Sequence, residues 1–462
     1  MNYVTAASIV STVSLMALCG LAAAQVPVTL VVKQGDAIGG STVSTVATPL
    51  TNANGELGTL LALADARRVI YSESGIVFDS ATAPVALTGG ETTIGWGEGG
   101  AFIYSPSTAG SDAAYTHNGL LLADGMPAPG FAGQFNSFNS RPDMGGNKAF
   151  WVAGLSATPG GATTKRVLYS ATGGPGTISV EMQGGDTVGG NIITAQGISF
   201  NFRVSSNGLH RIHDLTIQGA PTTSDVFLAA DGVQIAREGT AAAVGNYTTF
   251  RHAFINNSGT YVFAADTNAA TTMDEIIVSN TGMVVQEGDV IGGVAITGIC
   301  DGLSINNNGD VVFIYDTAAA SGSTERLFRG HVSNLRAAKQ VLKIGDLLDV
   351  NGDNVADYTL KDFNASTTFP SLDLGDDGRL FVTVTLNEIG QTTDIDAIIR
   401  VDFNDCGCAA DYNEDGGVDG QDIEAFFAEF EDSAGCSDVN QDGGVTGEDV
   451  GAFFDVWEAG SC

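Results

Sequence analysis

The chain of 462 residues, enough for one large or several ordinary domains, carries 53 Asp and Glu against 19 Lys and Arg, a net charge of −34. That balance argues against nucleic acid as a partner, because phosphate contacts need clustered cations. With 61 glycines, 8% aromatic residues and abundant Thr, Val and Ala, the composition is that of a turn-rich, mainly β protein.

The first element is an apolar stretch from Ala6 to Ala24 that ends in Ala22-Ala23-Ala24 before Gln25. It reads as a secretory signal peptide cut after Ala24, although the segment before it holds no Lys or Arg. A membrane anchor is the alternative for this segment; no later run is long enough to span a bilayer. Residues 1–24 are therefore predicted as a signal peptide, 25–404 as a β-repeat body, and 405–462 as a small helical domain.

Through the body a short phrase recurs, a polar or Asn-rich turn with Gly followed by alternating apolar residues and usually Phe. It is complete in Asn256-Asn257-Ser258-Gly259-Thr260-Tyr261-Val262-Phe263 and in Asn306-Asn307-Asn308-Gly309-Asp310-Val311-Val312-Phe313. Weaker copies lie at Asn54-Gly55, Gly99-Gly100-Ala101-Phe102, Gly146 to Phe150, Asn207-Gly208 and Asp377 to Phe381, which makes seven. An acidic-glycine turn alternates with it, as in Gln34-Gly35-Asp36, Gly184-Gly185-Asp186, Glu287-Gly288-Asp289 and Ile344-Gly345-Asp346, often before a Val/Ile-Gly-Gly step. The unit averages about 54 residues, enough for a four-stranded antiparallel blade, and seven such blades close a β-propeller without long exposed edges. Six or eight blades stay open, because the repeats near 55–125 and 346–400 are degenerate. A β-helix would need shorter rungs and a string of sandwiches longer units.

Within the body, His210 and His213 are three apart, which on a strand places them on opposite faces and argues against a shared metal. Cys300 stands alone and reads as a buried small hydrophobe. Asp349, Asn351, Asp353 and Asp357 occupy positions 1, 3, 5 and 9 of a compact turn, either a third calcium loop or an Asx-rich exposed turn. No nucleophile elbow, zincin helix, phosphate loop or dinucleotide fingerprint occurs, so no catalytic residue is assigned and the protein is expected not to be an enzyme.

The last 58 residues hold 16 acidic residues and no Lys or Arg. Asp411, Asn413, Asp415, Gly417, Asp419 and Asp422 fall at positions 1, 3, 5, 7, 9 and 12 of a calcium loop. Asp438, Asn440, Asp442, Gly444, Thr446 and Asp449 repeat the pattern 27 residues later. Ca²⁺ takes six to eight oxygens from such alternate side chains, with a backbone carbonyl at position 7 and a carboxylate at 12. Each loop leads into an apolar i, i+3, i+4, i+7 stripe: Ile423, Phe426, Phe427 and Phe430, then Val450, Phe453, Phe454 and Trp457. Two helices packed on these faces, with two Ca²⁺ ions, would form one small unit that depends on its metal. Cys406, Cys408, Cys436 and Cys462 cluster here and suggest two disulfides of unknown order; a zinc site is the alternative.

The segment from Cys406 to Cys462 resembles a dockerin, and most closely the Gly-Cys-flanked dockerin-like domain at the C-termini of secreted planctomycete-type bacterial proteins. The body resembles the tandem Asn-x-x-Gly-x-x-Ala-Phe repeats of secreted bacterial proteins that end in anchoring domains. These resemblances imply an exported, non-enzymatic binding or surface-display protein of a bacterium, secreted or held at the cell surface. Its tail would dock to a cohesin-like or other cell-envelope protein, and its body would present loops to a ligand such as a polysaccharide. The alternative is a secreted carbohydrate-active enzyme, a propeller-type glycosidase or lyase, with the same tail.

Overall fold

The computed structural model describes residues 27–82, 94–104, 107–108, 111–137, 141–158, 161–282, 284–319, 322–353, 355–364 and 371–403 of the body. Toward the C-terminus it describes 409–410, 412, 418–431, 435–437, 439 and 445–460. The expected signal peptide lies outside the described residues.

Alternating apolar and polar residues between Gly turns build antiparallel strands, and these assemble into seven separate sheets. In chain order the sheets cover residues 37–79, 94–123, 134–183, 187–237, 247–286, 290–343 and 347–402, and they are the seven blades of a β-propeller. The sixth blade shows the plan: Val290–Ile291, Val294–Ile305, Asp310–Ala319, Gly322–His331 and Lys339–Lys343 lie side by side in that order. The seventh blade also takes in the first strand of the body, Val28–Lys33, which pairs antiparallel with Asp394–Asp402 in the register Val28 to Val401 and Thr29 to Arg400. The two ends of the body thus share one sheet, and the ring is closed by a hydrogen-bonded ladder.

The expected blades of four strands carry up to six. The Val/Ile-Gly-Gly step is one reason, since it is itself a tight hairpin. Ala37–Ile38, Thr187–Val188 and Val290–Ile291 fold back on the strands after the two glycines and add a short edge strand. The acidic-glycine turn just before has an equally local cause. Gly185, Gly288 and Gly345 take φ of 96°, 93° and 94°, a region open to Gly, and the following Asp accepts the amide three residues back, at 2.9 Å for Asp186, 2.9 Å for Asp289 and 2.8 Å for Asp346.

The core is divided among the joints between blades. Seven buried apolar clusters lie one at each of the seven junctions, for example Phe254, Val262 and Ile277 of the fifth blade against Leu303, Phe313 and Phe328 of the sixth. The Phe of the recurring phrase serves both faces of a blade. Phe263 and Phe313 sit against the preceding blade, whereas Phe150 and Phe381, shifted by one residue relative to their turns, sit against the following one.

Two helices follow the propeller, α1 (Gly420–Glu431) and α2 (Gly447–Ala459). Thr446 caps α2 through its hydroxyl, and the Asp449 carboxylate returns to the Thr446 amide, a capping box.

Candidate functional site

The seven copies of the recurring phrase all fall at the same place, the turn between the innermost strand of a blade and the next strand out. Where the phrase begins with Asn, one side chain has three jobs. Asn306 Oδ1 accepts from the amides of Asn308 (3.1 Å) and Asp310 (2.9 Å), and its Nδ2 donates to Gly375 O in the seventh blade (3.4 Å). Asn256 repeats this toward Asn306 O (3.0 Å) and Asn52 toward Gly97 O (3.1 Å). The second residue of the phrase makes the parallel link. The amide of Asn207 donates to Asn257 Oδ1 (2.8 Å), that of Asn257 to Asn307 Oδ1 (2.7 Å), and that of Asn307 to Asp376 Oδ1 (2.8 Å).

Three further contacts to backbone carbonyls complete the circle. Glu98 N donates to Gly146 O (3.4 Å), Gly146 N to Ser206 O (2.6 Å), and Arg379 Nη2 to Asn54 O (3.3 Å). Every blade is therefore tied to the next by a hydrogen bond around the propeller axis. Two links also skip blades: Ser206 Oγ in the fourth donates to Asp376 Oδ2 in the seventh (3.0 Å) and accepts from Asn307 Nδ2 in the sixth (3.3 Å).

Inside this ring lies an axial recess of about 70 Å³. Three carboxylates line it. Asp143 accepts from Met144 N and Val204 N, each at 2.9 Å; Asp373 accepts from Thr51 N (2.7 Å), Thr51 Oγ1 (3.1 Å) and Ser304 Oγ (3.1 Å); Asp376 accepts from Asn307 and Ser206. Burial pushes the carboxyls of Asp143, Asp373 and Asp376 up from the usual range. Arg203 lines the recess as well, 4.0 Å from Asp143 Oδ2 and over the Phe254 ring at 5.2 Å. Desolvation, with Arg203 nearby, lowers Arg141 to about 9. His252 is buried, and that burial together with Arg141, Arg203 and Arg251 brings it down to about 3, so it is neutral.

Sequence reading does not single out Asp143, Asp373, Asp376, Arg141 or Arg203. Aligning the turns would have found Asp376, which stands where Asn257 and Asn307 stand. The others precede the phrase on innermost strands, where no spacing marks them.

The sequence-predicted metal residues fall into three groups. Asp411, Asn413, Asp415, Gly417, Asp438, Asn440, Asp442 and Gly444 lie outside the described residues. Asp419, Asp422, Thr446 and Asp449 are described, and they occupy matching places at the starts of α1 and α2. Asp422 and Asp449 are both 0% exposed, and each accepts the amide three residues back, Asp419 N and Thr446 N, at 2.7 Å. The helices meet through Phe426 and Phe453, stacked at 4.2 Å and 6°, with Phe427 and Phe454 at 6.3 Å beside them. Trp457 Nε1 donates to Asp419 O (2.9 Å), tying the end of α2 to the start of α1. Tyr412 packs edge-on against both stacked rings and donates to Glu429 Oε2 (2.8 Å). Cys436 is disulfide-bonded, to a sulfur outside the described residues.

The third group is the turn between Leu347–Leu348 and Tyr358–Asp362. Its oxygens accept local amides: Asp349 Oδ1 from Gly352 (2.8 Å), Asn351 Oδ1 from Asp353 (3.0 Å), and Asp353 Oδ1 from Val355 (2.8 Å). Asp357 accepts from Asn351 Nδ2 at 3.1 Å. Positive φ falls on Gly352, and Asn354 lies outside the described residues. Among the described residues no three His, Cys, Asp or Glu side chains gather as a metal site. His210 pairs with Asp231 at 2.7 Å, whereas His213 is buried and contacts Ser199 O at 2.9 Å, so the two serve separate surroundings. Cys300 is buried and free.

No protein-family model matches the chain, and no curated protein matches it. Among solved structures, the WD40 propeller domain of Doa1 is similar at 11% identity and a TM-score of 0.36, over 81% of this chain and 97% of that one. PorZ, a bacterial surface component of the type-IX secretion system of Porphyromonas gingivalis, is similar at 11% identity and a TM-score of 0.29, over 78% of this chain. The chain spans about half of PorZ, 50% of its length. An endo-arabinase from Bacteroides thetaiotaomicron is similar at 11% identity and a TM-score of 0.25, over 55% of this chain and 88% of that one.

Proposed function

We propose that this is an exported, non-enzymatic binding or surface-display protein, in which the propeller is presented by a calcium-loaded, dockerin-like tail. Two Ca²⁺ ions would be held by the loops that begin at Asp411 and Asp438, with Asp422 and Asp449 as the closing carboxylates. The observation that carries this reading is that Asp422 and Asp449, the two position-12 carboxylates, take the same buried place at the starts of α1 and α2, each accepting the amide three residues back, as two copies of one calcium loop would. The stacked Phe426 and Phe453 rings support it further, since they relate the two loop-helix units as the 27-residue repeat requires.

In this reading Ca²⁺ orders the loops and the aromatic faces hold the helices together. The outer helix surfaces would meet a cohesin-like or other cell-envelope protein. Disulfides among Cys406, Cys408, Cys436 and Cys462 would brace the unit, and the Asp349 to Asp357 turn would hold a third, structural ion. Terbium luminescence tests the metal step, because Trp457 beside the first loop can sensitise a bound lanthanide. The full chain should give a signal that saturates and that Ca²⁺ displaces, and Asp422→Asn with Asp449→Asn should abolish it. No saturable signal from the oxidised full chain would refute the calcium-loaded tail.

A further inference from the structure

Most polar side chains at the axial recess are committed to other blades. Asn52 donates to Gly97 and Glu56, Thr51 and Ser304 to Asp373, and Ser206 and Asn307 to Asp376. Arg203 is the exception. Its side chain is 13% exposed, Asp143 is 4.0 Å away, and its guanidinium makes no hydrogen bond to any described residue. A guanidinium carries five donors in a planar fork and keeps its charge, so one held largely out of water with none of them used calls for acceptors from a ligand.

Asp143 cannot supply them where it stands, because each of its oxygens is fixed by a backbone amide, Met144 N and Val204 N. Asp373 and Asp376 also line the recess, and they are likewise occupied, by Thr51 and Ser304 and by Asn307 and Ser206. Burial shifts all three carboxyls toward the neutral form, and Arg203 is the one Arg or Lys among the residues that line the recess. The free space is of the matching kind. A recess of about 70 Å³ holds about five waters, or a ligand of about that many non-hydrogen atoms, and the Arg203 guanidinium lies over the Phe254 ring.

We propose that the axial recess is a binding site for a small carboxylate anion, its two oxygens received by the Arg203 guanidinium. Bidentate recognition of a planar two-oxygen anion is what this fork does best. The amide-fixed Asp143 and the hydrogen-bonded turn ring would position Arg203 in advance. The proposal rests on the propeller axis alone, so it stands or falls independently of the tail's calcium and its docking partner.

The test uses the full chain at pH 7 and constant ionic strength, titrated with acetate, glycolate and lactate, with acetamide as the neutral isostere and sulfate as a salt control. Saturation-transfer NMR and thermal melting read the binding. At least one carboxylate should bind saturably and raise the melting temperature, acetamide should not, and Arg203→Gln, shown folded by circular dichroism, should weaken binding at least tenfold. Arg203→Lys, which keeps the charge and loses the fork, should weaken it by a smaller factor. Absence of saturable carboxylate binding to the wild type, equal shifts with acetamide or sulfate, or unchanged affinity in folded Arg203→Gln would overturn the proposal. If Arg203→Gln fails to fold, the acetate-against-acetamide comparison and Arg203→Lys still decide it.

Discussion

Asn306 shows how much of the propeller hangs on single side chains. It closes its own turn through Oδ1 and reaches the next blade through Nδ2, so Asn306→Ala should destabilise by about 2 kcal/mol, from hydrogen bonds of about 1 kcal/mol each and a buried carbonyl left unpaired. Asn306→Asp keeps the acceptor and loses the donor, and urea denaturation of the two variants should separate the turn from the inter-blade link. Gly145 is critical for a different reason: a Cβ there would lie 2.2 Å from Gly208 Cα, with backbone and no flexible side chain to give way. Buried carboxyls set the pH response. Burial raises Glu325 to about 7, with Asp362 adding to it, so the folded state takes up a proton as pH falls through 7 that the unfolded chain binds only near its ordinary value of about 4. Stability from this group is present at low pH and lost as pH rises through 7; Glu325→Gln should therefore raise the melting temperature at pH 8 and leave it unchanged at pH 5. His213 opposes this, since burial lowers it to about 4 and its contribution is lost as pH falls below about 6.5.

At the scale of elements, the strand Val28–Lys33 and the helix pair decide whether each unit is complete. Deleting residues 28–33 would strip the partner from Asp394–Asp402 and leave a long, apolar edge in the seventh blade. The expected result is a lower melting temperature and self-association, measured by light scattering. In the tail, Phe453→Ala removes one ring of the 4.2 Å stack and should cost about 3–5 kcal/mol. Hydrogen exchange in Gly420–Glu431 reads this directly, because α1 would lose its main partner. Both helices were legible in the i, i+3, i+4, i+7 stripes, and α1 and α2 meet through those faces at the buried Phe426 and Phe453, whereas Phe427 stays 37% exposed. The extra edge strands were not legible as strands, because a two-residue pairing either side of Gly-Gly is too short to show a period.

For the whole molecule, the propeller has its own closed core and the tail a far smaller one, so the two are expected to unfold separately. Calorimetry of the full chain with Ca²⁺ should show two transitions, and chelation should lower or abolish the smaller and leave the larger in place. A single transition unmoved by chelation would contradict this prediction. Local chemistry made the turns, the strands, the two helices and the number of repeats readable in the sequence, because Gly conformation, Asn and Asp side-chain bonds and apolar period act within a few residues. Closure by the first strand and the shared axial recess were decided only in the folded ring. Asp143, Arg203, Phe254 and Asp373 come from four different blades, and nothing in their neighbours along the chain encodes that they face one another. Burial also lowers Arg141 to about 9 and keeps His252 neutral, and burial is a property of the closed ring and not of any one repeat.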